Sequence, residues 1–109
     1  MISTEMRSDI IQGLCTILGN LLDSIILYGS YARNQATEES DIDIAIILNG
    51  NLNSELRDLF LAWASDMDLK YDRVFSVVDI SKENMSKWEN VLPYYKNVRE
   101  EGIVLWKAA

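Results

Sequence analysis

Two apolar runs joined by one short polar loop constrain this chain more than any other feature. Residues 24–28 (Ser-Ile-Ile-Leu-Tyr) and 41–48 (Asp-Ile-Asp-Ile-Ala-Ile-Ile-Leu) read as strands, and only residues 29–40 separate them. So short a loop brings the end of the first strand to the start of the second, and the two pair antiparallel. Gly29 lets the chain turn sharply, and Ser30 offers a hydroxyl and an N–H at the start of a short helical turn. Backbone donors at such a start favour anions, so this turn suits a phosphate. Ten residues then separate Gly29-Ser30 from Asp41-x-Asp43. Strand side chains alternate, so Asp41 and Asp43 share one face about 7 Å apart, while Ile42, Ile44, Ile46 and Leu48 point to the core. Two ionised carboxylates side by side repel unless a cation sits between them, and hard oxygen donors suit Mg²⁺.

The other elements follow from spacing. Ile10, Ile11, Leu14, Ile17 and Leu18 predict a helix over 4–18, with Gly19-Asn20 as its stop. Leu56, Leu59, Phe60 and Trp63 form the apolar stripe of a second helix over 54–65, and a third strand is expected over 71–78. Ser81 is placed to cap a helix through Trp88, and Pro93 starts another that ends before Gly102. Residues 103–106 then suit a last edge strand. A helix of about a dozen residues between the second and third strands has the length of a right-handed crossover, which makes those strands parallel. Their starts then share one edge. Asp72, second in the third strand, would stand level with Asp41 and Asp43, and Asp79 at the far end. The class is α/β, a small mixed sheet with helices packed on it, as a single domain over 1–109.

Asp66-Met-Asp68 repeats the acidic pattern. It follows an amphipathic helix and has no Gly-Ser at the right distance, so it reads as solvated carboxylates at a helix end. Several chemistries drop out. Without histidine there is no Ser-His-Asp triad, and the usual zinc hydrolase ligand sets are missing. A formal net charge of −7 argues against a standing grip on nucleic acid. The single Cys15 lies among apolar neighbours and reads as a structural thiol. No run is long enough to span a membrane, no signal-peptide layout opens the chain, and a cytoplasmic setting is expected.

The segment Tyr28-Gly-Ser-Tyr-Ala-Arg33, with Ala36-Thr37 and Ser40-Asp-Ile-Asp43, resembles the minimal nucleotidyltransferase branch of the polymerase-beta-like nucleotidyltransferase superfamily. The likeness covers about residues 24–48 and extends loosely to Trp106. One departure is Asn34, where members often carry Gly; Asn tolerates positive φ, so the turn is expected to survive. The resemblance implies that Asp41, Asp43 and Asp72 are catalytic and hold two Mg²⁺ ions, with Asp72 at the attacking oxygen. It implies that Gly29 and Ser30 bind the β- and γ-phosphates of ATP. Arg33 either reaches the triphosphate or pairs with Glu38 or Glu39, and Ser40 lies on the nucleotide-binding loop, which it orients. It further implies a helical HEPN toxin as partner, in a hetero-oligomer, with AMP passing from ATP to a toxin tyrosine. Two other readings stand beside it. One is a binding module that neutralises a partner by occupying its surface, using Trp88, Tyr94, Tyr95 and Trp106; those aromatics also suit packing of the terminal helices. The other is a transferase for small molecules such as aminoglycosides, which the short chain disfavours.

Overall fold

The computed structural model describes residues 2–33, 35–37 and 40–109. Helix α1 (Thr4–Leu18) leads through a short 3-10 turn into strand β1 (Leu22–Tyr28). After the polar loop come β2 (Ile42–Leu48), α2 (Ser54–Tyr71), β3 (Phe75–Ser81), α3 (Lys82–Trp88), α4 (Pro93–Glu101) and β4 (Ile103–Lys107). The sheet order is β3-β2-β1-β4. β1 runs antiparallel to both β2 and β4, and β2 runs parallel to β3.

Local chemistry accounts for the helix ends. The Ser3 side chain accepts from the Met6 amide, Asn53 from Leu56 and Ser81 from Asn84, so α1, α2 and α3 each begin on a polar cap. Pro93 opens α4, where its missing N–H costs nothing. Gly19 ends α1 at φ +51°, a conformation that glycine adopts without strain.

β2 is apolar on both sides because both sides are covered. Ile42, Ile44, Ile46 and Leu48 pack with Ile10, Leu14 and Leu18 of α1, Met67 of α2, and Ile25 and Leu27 of β1. Ala45 and Ile47 face the other way, onto Ile80, Met85 of α3 and Val98 of α4. The first of these cores was legible in the alternation of the run; the second was not. Asp43 is the only acid in β2, on the α3/α4 side, at the end where that smaller core stops.

Strand ends shift by one to three residues from the sequence reading, and two larger shifts have one cause. α2 continues to Tyr71 instead of ending near Ser65, because Phe60, Ala64 and Met67 carry the buried stripe onward and no Gly or Pro interrupts it. β3 accordingly begins at Phe75. Asp72 is therefore not a strand residue: it ends α2 in the left-handed conformation, φ +52° and ψ +47°, and is exposed. Asp79 does lie toward the far end, level with Ile46, and pairs with Arg57 at 3.5 Å.

Candidate active site

β1 ends and β2 begins at the same edge, with Tyr28 paired to Asp43. The next residue, Gly29, turns the chain at φ +73°. Its bare Cα lies against the Asp43 carboxylate. A Cβ there would stand 3.1 Å from Asp43 Cγ and closer still to Oδ2. Glycine is thus required twice, for the backbone angle and for the space the carboxylate occupies.

The turn after Gly29 closes on itself. Arg33 N donates to Gly29 O at 3.1 Å, and Gln35 N to Ser30 O at 2.8 Å. This forms one helical turn rather than a helix. On the return, Thr37 N donates to Ser40 Oγ at 2.9 Å, and Ser40 N to Thr37 O at 3.1 Å. Ser40 therefore shapes the loop immediately before Asp41. Asp41 itself precedes β2 and is exposed, whereas Asp43 is half-buried.

The electrostatics tie these groups together. The Asp43 carboxyl is pushed above the usual carboxylate range, first by burial and then by the Asp41 charge, with Arg33 pulling the other way. Asp41, Asp43 and Arg33 therefore share one field. Arg33 also donates to Glu101 at the end of α4 (3.2 Å) and to Gln35 (3.2 Å). The alternative partners Glu38 and Glu39, like the turn residue Asn34, lie outside the described residues.

Asp72 does not join the other two acids on β3. The parallel register puts Ser76 level with Asp43, so Tyr28, Asp43 and Ser76 form a row across three strands. Among the described residues, no three His, Cys, Asp or Glu side chains gather closely enough to hold one ion. Two carboxylates remain. Their mutual repulsion and oxygen chemistry fit a hard divalent cation.

Two contacts escaped sequence reasoning. Asp68 Oδ1 accepts from Phe75 N at 2.7 Å, and Asp68 O accepts from the amides of Asp72 and Arg73. The second Asp-x-Asp is thus half structural, holding the exit from α2, with Asp66 exposed. Arg73 Nη1 donates to Tyr31 OH (2.7 Å) and to Thr37 O (3.1 Å). The Arg73 contacts join segments distant in sequence, and the Asp68 contacts, though local, depend on where α2 ends.

Elsewhere, a groove of about 480 Å³ between α1 and α2 is lined by Asp9, Gly13, Trp63 and Lys70, on the opposite side of the sheet from Asp43. Trp63 borders this groove and is only half-buried, while Phe60 is in the core. Trp106 packs against the larger core and Tyr95 against the smaller; Trp88 is half-buried beneath Lys87, and the Tyr94 side chain lies outside the described residues. Burial pushes the half-buried Cys15 thiol up, as suits a structural rather than reactive group. No helix among the described residues is long and apolar enough to cross a membrane.

Known proteins resemble this chain in sequence and in fold. Residues 16–107 match the family model described as polymerase beta, nucleotidyltransferase. Two relatives from Methanocaldococcus jannaschii carry the name protein adenylyltransferase. MJ0604 is 40% identical over 85 residues, which is 78% of this chain and 79% of the relative. MJ0141 is 35% identical over 78 residues, 72% of this chain and 79% of the relative. Among solved structures, a chain of a toxin–antitoxin crystal structure with AMP-PNP superposes with a TM-score of 0.69 at 25% identity, over 94% of this chain and 73% of that one. A complex of a tri-AMPylated Shewanella oneidensis HEPN toxin with MNT antitoxin matches in fold, with a TM-score of 0.64 at 22% identity over 98% and 74% of the two chains. With the family match running over residues 16–107, most of its length, the chain belongs to the polymerase beta nucleotidyltransferase family and is an enzyme of the nucleotidyltransferase type.

Proposed function

We propose that this protein transfers AMP from ATP to a hydroxyl of a partner protein, a tyrosine of a HEPN-type toxin, and so acts as its antitoxin. The observation that carries the reading is the packing of the Gly29 turn on the Asp43 carboxylate, with Asp41 in the same field. That contact supports a reading in which the turn binds phosphate beside two carboxylates that hold a cation. The names of the relatives and the AMP-PNP found in the similar toxin–antitoxin structure favour adenylate as the group moved.

In this reading Asp41 and Asp43 hold Mg²⁺, and Gly29 and Ser30 hold the β- and γ-phosphates. When bound, the ion offsets phosphate charge and makes the α-phosphorus more electrophilic. Arg33, drawn toward Asp43 and held by Glu101, is within reach of the same charge and steadies the triphosphate. The acceptor hydroxyl oxygen bonds to the α-phosphorus and releases its proton to water as the bond to the bridging oxygen breaks, and pyrophosphate leaves from the turn that held it. Asp72 is exposed at the end of α2 rather than on β3, so Asp41 and Asp43 are the two carboxylates this reading relies on.

The test is incubation with labelled ATP, Mg²⁺ and a HEPN-type protein encoded beside it. Label should appear on a tyrosine of that protein and disappear in Asp41→Ala and Asp43→Ala. Full neutralisation of the partner by both variants would replace transfer with simple occlusion. Label on an aminoglycoside with no protein acceptor would replace the substrate.

A further inference from the structure

Asp41 is exposed, yet its backbone is pinned on both sides from one place. Ser40 O accepts from Arg73 Nη1 at 3.5 Å, and Ile42 N donates to Val74 O at 2.8 Å. The same Nη1 reaches Thr37 O at 3.1 Å and Tyr31 OH at 2.7 Å, and the guanidinium lies 6.0 Å from the Tyr31 ring centroid. Tyr31 directly follows Ser30 and is buried, while Thr37 and Ser40 close the turn before Asp41. One cation therefore grips the loop near both functional ends. Two N–H protons face three oxygens, so charge as well as one-to-one pairing holds them. Arg73 is itself fixed from behind, its N donating to Asp68 O at 3.3 Å while Asp68 Oδ1 takes the Phe75 amide.

We infer that Arg73 is a positioning residue for the nucleotide: by drawing Tyr31, Thr37 and Ser40 onto the start of β3, it sets the distance between the Ser30 turn and Asp41. This rests on the proposed nucleotidyl transfer. A triphosphate carrying Mg²⁺ has to satisfy the turn and the carboxylates together, and a loop free to drift satisfies only one at a time. The guanidinium acts through the loop oxygens it touches.

The probe is Mg²⁺ with AMP-PNP, titrated by calorimetry into the full chain. Arg73→Met should weaken binding about ten-fold, and Arg73→Lys should recover part of that loss, because an ammonium still reaches some of the oxygens. Tyr31→Phe should weaken it about three-fold alone and add almost nothing in the Arg73→Met background, which a merely structural role would not produce. Affinity for Arg73→Met within about two-fold of wild type overturns the inference, as does full additivity of the two substitutions. If Arg73→Met does not fold, Tyr31→Phe decides alone: unchanged affinity overturns the role, and the weakening supports it. A wild-type chain that fails to bind Mg²⁺ with AMP-PNP would refute nucleotidyl transfer itself, and the role of Arg73 with it.

Discussion

At the scale of single residues, the site depends on a contact between a glycine and an acid that no short pattern describes. Gly29 and Gly19 both adopt positive φ, at +73° and +51°, but only Gly29 lies against a candidate catalytic group; a Cβ on Gly19 meets nothing within 4 Å. Alanine at either position should cost about 1–2 kcal/mol of stability from backbone strain. Only Gly29→Ala should also displace the Asp43 carboxylate and lower transfer, by about ten-fold or more. Unfolding midpoints and turnover measured on both variants check this. Equal activity in the two would remove the link between Gly29 and Asp43. That Gly29 lies near Asp43, with Asp41 in the same field, was legible in their spacing. That Gly29 must be glycine because Asp43 fills the space of its missing side chain was visible only in three dimensions.

At the scale of elements, the exit from α2 was the least legible part of the chain. The stripe Phe60, Ala64 and Met67 continues past the point where the large apolar residues thin out, and Asp72 takes a left-handed cap that glycine or asparagine more often fills. The exit is held instead by Asp68, which accepts from Phe75 N at 2.7 Å through its side chain and from two amides through its carbonyl. Asp68→Ala should therefore lower stability by about 1–2 kcal/mol in denaturant titration, leaving the Phe75 amide without its acceptor. Asp66→Ala, at an exposed position, should stay within about 0.5 kcal/mol of wild type. The reverse order would show that the second acidic pair is solvated throughout. Because Arg73 hangs from the same exit, Asp68→Ala should also weaken nucleotide binding.

At the scale of the whole molecule, the sheet is covered on both faces and the acids stand where the smaller core ends. Asp43 holds its proton more tightly in the folded chain than an ordinary Asp, through burial and then Asp41. The folded state thus binds more protons than the unfolded one between the ordinary value of 3.8 and the raised one, so nucleotide-free stability falls as pH rises through that window. Asp43→Asn should remove this loss and raise the free protein's midpoint at neutral pH, measured by thermal unfolding. Wild type should gain about 2.7 kcal/mol when Mg²⁺ and AMP-PNP stand at about a hundred times their Kd, a gain absent from Asp43→Asn and lost on chelation. The same cation site should empty as pH falls and Asp43 takes a proton. The sequence alone determined the order of elements, the antiparallel pairing of β1 with β2, the parallel pairing of β2 with β3 and the turn beside Asp41 and Asp43, because these follow from alternation, spacing and loop length. Only the tertiary structure decided that Asp72 caps a helix, that Ser76 stands level with Asp43 and that Arg73 binds the loop. Ser76 and Arg73 are placed by strand register and by contacts between segments far apart in the chain, which local periodicity does not encode, and Asp72 by how far the buried stripe of α2 runs.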